Sequence, residues 1–171
     1  MKLLLIGHTE RYPVEQLQMQ LFPDEPSEFV TQSFTGDGTV SSLSRGKKYL
    51  TATAKVTKGG KTGFASRRIP LEQADVRMTR RILQQSYYLA ATKVLGTVPP
   101  WGALSGVRPS KLSTKALLAG KTRRQAEREL EREFFVTPER AKLCVDASEH
   151  TVEAMNLLAP RDLSVYIGIP F

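Results

Sequence analysis

The residue types best suited to chemistry gather in one stretch, Trp101 to Leu112 (WGALSGVRPSKL). Within it lie two glycines, the only tryptophan and the cations Arg108 and Lys111. A tight loop pinned by Trp101 would present Arg108 and Lys111 beside a helix N-terminus, and cations and helix N-termini both favour anions. The same residues would equally serve a structural connection in which Arg108 caps backbone carbonyls. Arg108 and Lys111 are therefore candidate substrate- or anion-binding residues, with both roles open.

Other constellations carry less. Two Gly-Lys-Thr triplets, Gly60-Lys61-Thr62 and Gly120-Lys121-Thr122, have lysines, Lys55 and Lys115, where a phosphate-binding P-loop needs its first glycine. The first falls in a predicted hairpin and the second between predicted helices, so nucleotide binding by this route is rejected. Cys144 stands alone on an apolar helical face and reads as a small buried hydrophobe. His8 and His150 are far apart, with no third ligand at zinc spacing. No nucleophile–base set and no carboxylate pair is legible, so no catalytic residue is assigned. The mixed charges of Lys121–Glu133, with Arg123/Glu127 and Arg128/Arg132 four apart, read as a solvated helix.

The elements that must position these residues change character near residue 75. Before it, Lys2–His8 reads as a strand, Val14–Leu21 as a short helix with Pro13 in its first turn, and Glu28–Phe34 as a second strand. Gly36-Asp37-Gly38 marks a turn. In Lys47–Thr57, Leu50, Ala52, Ala54 and Val56 alternate with polar residues, which predicts a strand with one buried face. Gly59-Gly60 suits a hairpin turn, and Thr62–Ile69 returns as the partner strand. From Asp75 to Leu95 the apolar period becomes helical, through Met78, Ile82, Leu83, Leu89, Ala90 and Val94, with Gly96 as the C-terminal cap. Three more helices are expected. Lys111–Ala119 comes first, then Thr122–Phe135 with a capping box from Thr122 and Gln125. Pro138–Leu158 follows, with Thr137 as N-cap and an apolar stripe of Leu143, Cys144, Ala147, Thr151, Met155 and Leu158. The class is α+β: a small antiparallel-rich sheet with a covering helix, then a helical subdomain. The expected divisions are 1–95, 96–160 and 161–171.

At 171 residues, 40% apolar and 25% charged, the chain has the composition of a globular protein. No apolar run approaches the ~18–20 residues of a membrane span, so no membrane partner is expected. A single cysteine gives no disulfide framework, and a cytoplasmic location is expected. The net charge is +8. Between Asp37 and Glu72 there is no acidic residue but eight basic ones. Such a surface either solvates the domain or attracts nucleic acid, a polycarboxylate or an acidic partner.

The last residues, Ser164–Phe171 (SVYIGIPF), read as a β-strand that needs a partner. Gly106-Val107-Arg108-Pro109-Ser110-Lys111-Leu112 and, some fifty residues on, Val165-Tyr166-Ile167-Gly168-Ile169-Pro170-Phe171 together resemble the radical-SAM proteins of the oxygen-independent coproporphyrinogen III oxidase family. The resemblance is closest to their long-N-terminus, anaerobic coproporphyrinogen dehydrogenase branch. It implies that the final strand is the first of the core's partial α/β barrel and leads into a Cys-x3-Cys-x2-Cys motif. Those thiolates would hold a [4Fe–4S] cluster whose open iron binds S-adenosylmethionine. Tyr166 matches the tyrosine that contacts S-adenosylmethionine, and is the one cofactor-binding residue carried over. Gly168 departs from the histidine of the broader family, and Cys144 does not match the cluster motif.

The resemblance implies the accessory N-terminal domain of an enzyme that oxidatively decarboxylates propionate groups in heme biosynthesis. This segment is not catalytic alone and holds no cofactor itself. Its expected partners are its own radical-SAM core and an anionic tetrapyrrole, recruited by the basic hairpin with Arg108 and Lys111. Two rival expectations are a nucleic-acid-binding module, prompted by Tyr49 and Phe64 among the basic residues, and a structural capping or dimerisation domain. Without barrel partners, the terminal strand is expected to be poorly ordered or to add to another sheet.

Overall fold

A computed structural model describes residues 1–159, 161–163, 165 and 167. The chain runs β1 (Lys2–Ile6), α1 (Tyr12–Leu21), β2 (Glu28–Val30), β3 (Gly38–Arg45), β4 (Tyr49–Lys58), β5 (Lys61–Pro70), a short 3-10 turn, α2 (Val76–Leu95), α3 (Pro109–Leu118), α4 (Arg123–Phe134) and α5 (Pro138–Asn156). The five strands form one sheet in the order β2-β1-β3-β4-β5. Strands β3, β4 and β5 are antiparallel, while β1 lies parallel to both β2 and β3. The α+β class is thus borne out.

One strand, β3, was not expected. Its sequence GTVSSLSR lacks an apolar alternation, because Thr39 and Ser41 occupy the buried face. Helix α1 makes the burial of Thr39 possible, while Ser41 Oγ lies 3.2 Å from His8 Nε2. The Gln18 amide, fully buried, donates to the Met1 carbonyl (3.1 Å) and to Ser27 Oγ (2.9 Å), and its carbonyl accepts from Thr39 Oγ1 (3.0 Å). One side chain thereby ties α1 to the start of β1, the approach to β2, and β3. The strand expected over Glu28–Phe34 ends at Val30, and Phe34 instead lies against Gly38 and under the Lys2 ammonium.

The hairpin behaves as its residues dictate. Gly59 and Gly60 both take positive φ (55° and 77°), and Lys58 pairs with Lys61. That geometry matches the strand twist and is open to glycine at little cost. The predicted inward set of β4 is buried under α2. Helix α2 lies close on β5 because Gly63 has no side chain, its Cβ position falling 2.0 Å from the Ala90 carbonyl oxygen. Asp75 caps α2 by accepting from the Met78 amide (2.6 Å), and Gly96 closes it at φ 70°. Tyr87 and Ala91 join the expected stripe in the core.

The helical half has its own apolar cluster, centred on Leu104, Ala116, Ala126, Leu130, Val136 and Val145. The capping box of α4 is present in both directions: Gln125 N donates to Thr122 Oγ1, and Thr122 N to Gln125 Oε1. Arg123 bonds Glu127 and reaches across to Asp146 and Glu149, so that end of α4 is clamped to α5 rather than merely solvated. The stripe expected on α5 is corrected. Its buried face is Ala141, Cys144, Val145 and Ser148, while Leu143, Met155 and Leu158 are each about half exposed. Small residues win because α3 approaches closely there: Ser113 Oγ and Ser148 Oγ are 2.6 Å apart, and Ser148 Oγ donates to the Ser110 carbonyl. Side-chain size therefore sets the phase of α5, not hydrophobicity. The expected terminal strand, with Tyr166, falls largely outside the described residues.

No helix among the described residues is long and apolar enough to cross a membrane.

Replacing Gln18 with Leu should lower stability by about 1–3 kcal/mol, since it takes from buried Thr39 Oγ1 its acceptor and leaves the Met1 carbonyl with the Glu28 amide alone. Urea denaturation measures this, and an unchanged midpoint would show that water replaces the amide. His8 makes a second prediction. Burial pushes its pKa below the ordinary 6.5, against opposing contributions from the Ser41 backbone contact and Glu10. The unfolded chain therefore binds the proton more readily, so this group's effect on stability is level above pH 6.5 and becomes a loss as pH falls from 6.5 through the lower folded value. His8→Gln should flatten the pH dependence of the unfolding midpoint across that window.

Candidate functional site

The loop singled out from sequence makes the joint between the two halves. Gly102 sits at φ 58°, and a Cβ there would fall 2.0 Å from the Phe134 carbonyl oxygen. That contact is close because the Ala103 amide donates to the same carbonyl (2.6 Å). The Thr137 amide donates to the Pro100 carbonyl (3.0 Å), and Arg140 lies over the Trp101 ring at 5.5 Å. The loop is thus laced to the α4–α5 connection. Arg108 occupies the N-cap position of α3, with Pro109 opening the helix. Arg108 and Lys111 are both exposed, and among the described residues neither makes a side-chain hydrogen bond or an ion pair.

The α4–α5 connection divides two adjacent rings between the two cores. Phe134 packs into the helical cluster, whereas Phe135 joins the sheet's cluster. Phe135 adopts φ 58°, the one positive value at a non-glycine among the described residues. Its ring stacks on Tyr88, with centroids 5.3 Å apart and planes within 7°. The Arg67 guanidinium lies 5.3 Å from the Phe135 centroid, and that of Arg81 4.8 Å from Phe134. Arg81 also pairs with Glu133 at 3.2 Å, and the Gln85 amide donates to the Glu133 carbonyl (2.9 Å).

Beside this joint runs a groove made of three adjoining cavities that share Arg81. The first, about 210 Å³, has an apolar floor of Leu112, Ala116, Ala126, Leu130 and Phe134 under Arg77, Arg81, Lys115 and Lys121. The second, about 610 Å³, lies along α4 and adds Arg128 and Arg132. The third, about 450 Å³, reaches the edge of β5 at Arg67 and Arg68. Glu129 and Glu133, the carboxylates in these linings, are already paired with Lys121 and Arg81. Arg67 Nε is buried with no hydrogen-bond partner among the described residues.

The groove was not read from sequence. Arg77/Arg81 and Arg128/Arg132 each recur four residues apart, which put each pair on one helix face. That α2 and α4 turn those faces toward one groove depends on the joint. The exposed aromatics Tyr49 and Phe64 lie instead on the sheet face opposite the inward set of β4, with Arg68 over Tyr49 at 4.7 Å. Cys144 is buried 3.1 Å from Ser113 Oγ, and burial raises its pKa although the Ser113 hydrogen bond opposes this. It is a packed thiol rather than an activated one.

Fold and groove define a mixed α+β domain with a basic cleft at the joint of its two apolar clusters. The chain is similar to the oxygen-independent coproporphyrinogen-III oxidase-like protein HemZ of Bacillus subtilis (strain 168), with 26% identity over 163 residues. The match takes in 92% of this chain but 31% of that relative, so the chain spans about a third of the relative's length. The resemblance drawn from the two motifs is borne out by it. No family model matches the chain, and no solved structure matches it.

Gly102→Ala should destabilise the protein by about 2 kcal/mol or more, from the left-handed backbone and the clash with Phe134. Gly36→Ala is the control, because Gly36 also has a positive φ but open space at its Cβ position. Chemical denaturation of both variants should rank Gly102→Ala clearly below Gly36→Ala. Equal losses would mean that the close approach at the joint contributes nothing.

Proposed function

We propose that the chain is the N-terminal accessory domain of a radical-SAM enzyme of the oxygen-independent coproporphyrinogen III oxidase type. The parent would oxidatively decarboxylate propionate side chains of a tetrapyrrole in heme biosynthesis. The similarity to HemZ over 92% of the chain carries this reading. The pairing of the Gly106–Leu112 loop with the Val165–Phe171 segment supports it.

In this reading the cofactors belong to the rest of the parent. The described residues bring no three His, Cys, Asp or Glu side chains together as a metal site, and Cys144 is packed against Ser113. When bound, S-adenosylmethionine and the [4Fe–4S] cluster would supply the one-electron chemistry, with Tyr166 against the cofactor. The domain's own contribution is recruitment. The substrate carries several carboxylates, and Arg108 and Lys111 stand exposed at the start of α3, where guanidinium and helix N-terminus act together on an anion.

The test uses the full-length parent, purified without oxygen. It should show iron–sulfur absorbance, cleave S-adenosylmethionine reductively and consume coproporphyrinogen III. A parent lacking residues 1–160 should keep the cluster but lose substrate turnover. A full-length protein with no cluster and no S-adenosylmethionine cleavage would remove the assignment. A truncated protein with undiminished turnover would remove the recruiting role.

A further inference from the structure

We infer that the groove between α2, α3 and α4 is a binding site for a small organic polyacid: a molecule with an apolar body and at least two carboxylates. This goes beyond the domain assignment and rests on the groove alone. Four observations lead to it. The first cavity combines an apolar floor with a cationic rim, so it suits a ligand that is both apolar and anionic. The two carboxylates of the groove are committed to Lys121 and Arg81, which leaves the charge of Arg77, Lys115, Arg128 and Arg132 uncompensated by any ion pair among the described residues. Arg67 and Arg68 line the far end of the same groove with no ion pair among the described residues, and they extend its cationic rim. Arginines dominate the rim, and their planar fork suits carboxylates.

Size selects the ligand further. A cavity of about 210 Å³ is smaller than the ~300–1,000 Å³ that encloses a drug-sized molecule. It takes one ring or one short arm, and a larger molecule would extend along α4 toward Arg128 and Arg132. A single nucleic-acid strand fits less well. Such strands are held by exposed aromatics among cations, whereas here Phe134 is covered by Arg81, and the exposed Tyr49 and Phe64 lie on the opposite sheet face.

Calorimetric titration of the whole chain at low salt tests the site, with benzene-1,3,5-tricarboxylate as the probe. Saturable binding is expected, and Arg77→Ala or Lys115→Ala should each weaken it about tenfold. Lys47→Ala/Lys48→Ala, which removes two positive charges from the β3–β4 turn, one more than either single variant, should leave it unchanged. Ala119→Leu alters no charge but fills the rim of the first cavity, and should also block the probe. Loss of binding in the Lys47/Lys48 variant to the same degree would overturn the site. So would inorganic phosphate binding as tightly as the probe, or full competition by a mixed-sequence RNA. Coproporphyrin, titrated in parallel, separates this inference from the proposed function. If the tricarboxylate binds at Arg77 and Lys115 and coproporphyrin does not, the site stands and its ligand is not the tetrapyrrole. If neither binds, the site falls while the parent's assignment is untouched.

Discussion

The architecture turns on the backbone between Phe134 and Phe135. Adjacent side chains within a helix are only about 100° apart and do not normally reach two opposite cores. Here α4 ends, one residue takes a left-handed conformation, and the two rings part company. A non-glycine residue in that conformation costs about 1–2 kcal/mol. Stacking on Tyr88 returns roughly 0.5–1.5 kcal/mol beyond the burial of the ring. The Ala103 amide on the Phe134 carbonyl holds the reversal in place. Gly102 is what lets that amide approach, since any side chain there would meet the Phe134 backbone. Without this joint the sheet and the helical cluster would be two units on a linker.

The groove is a consequence of the same joint. Arg81 is stretched over the Phe134 ring and held by Glu133, so one residue belongs both to the joint and to all three cavities. The charges around it are close because packing holds the helices together, against mutual repulsion. Charge crowding of this kind is tolerated at the rim, where water screens it, and becomes useful when an anion replaces the water. The floor works in the opposite direction, since its apolar side chains gain by being covered. A ligand that is anionic at its edge and apolar in its body meets both demands at once.

The sheet unit contributes by other means. Its inner face is unusual in placing Thr39 and Ser41 where aliphatic residues are normal. Gln18 supports Thr39 by meeting three polar groups with one amide, and His8 supports Ser41. The open face is rich in threonine and serine, with Tyr49 at the start of β4 and Phe64 within β5 opposite Lys55. The acid-free stretch therefore does not form one surface. Arg67 turns to the joint, Arg68 stacks on Tyr49, and Lys58 pairs with Glu25 and Asp37. Linear clustering of charge is not spatial clustering once a hairpin sends alternate residues to opposite faces.

What sequence determined alone was local. The β4–β5 hairpin followed from alternation and from Gly59-Gly60, the course of α2 from its helical apolar period and its end from Gly96, and the start of α4 from Thr122 and Gln125. These signals act within a few residues, so no distant partner is needed to read them. Strand β3 escaped because its burial depends on Gln18, some twenty residues away. The face of α5 was misjudged because close packing against Ser113 selects small residues over the larger Leu143 and Met155. The loop of Trp101 to Leu112 stood out by composition, but its task of holding Phe134 was invisible. The pairs Arg77/Arg81 and Arg128/Arg132 were each legible as one helix face. Only the tertiary structure decided that both faces look into the same groove, because the angle between two helices is set by long-range contacts that no local spacing encodes.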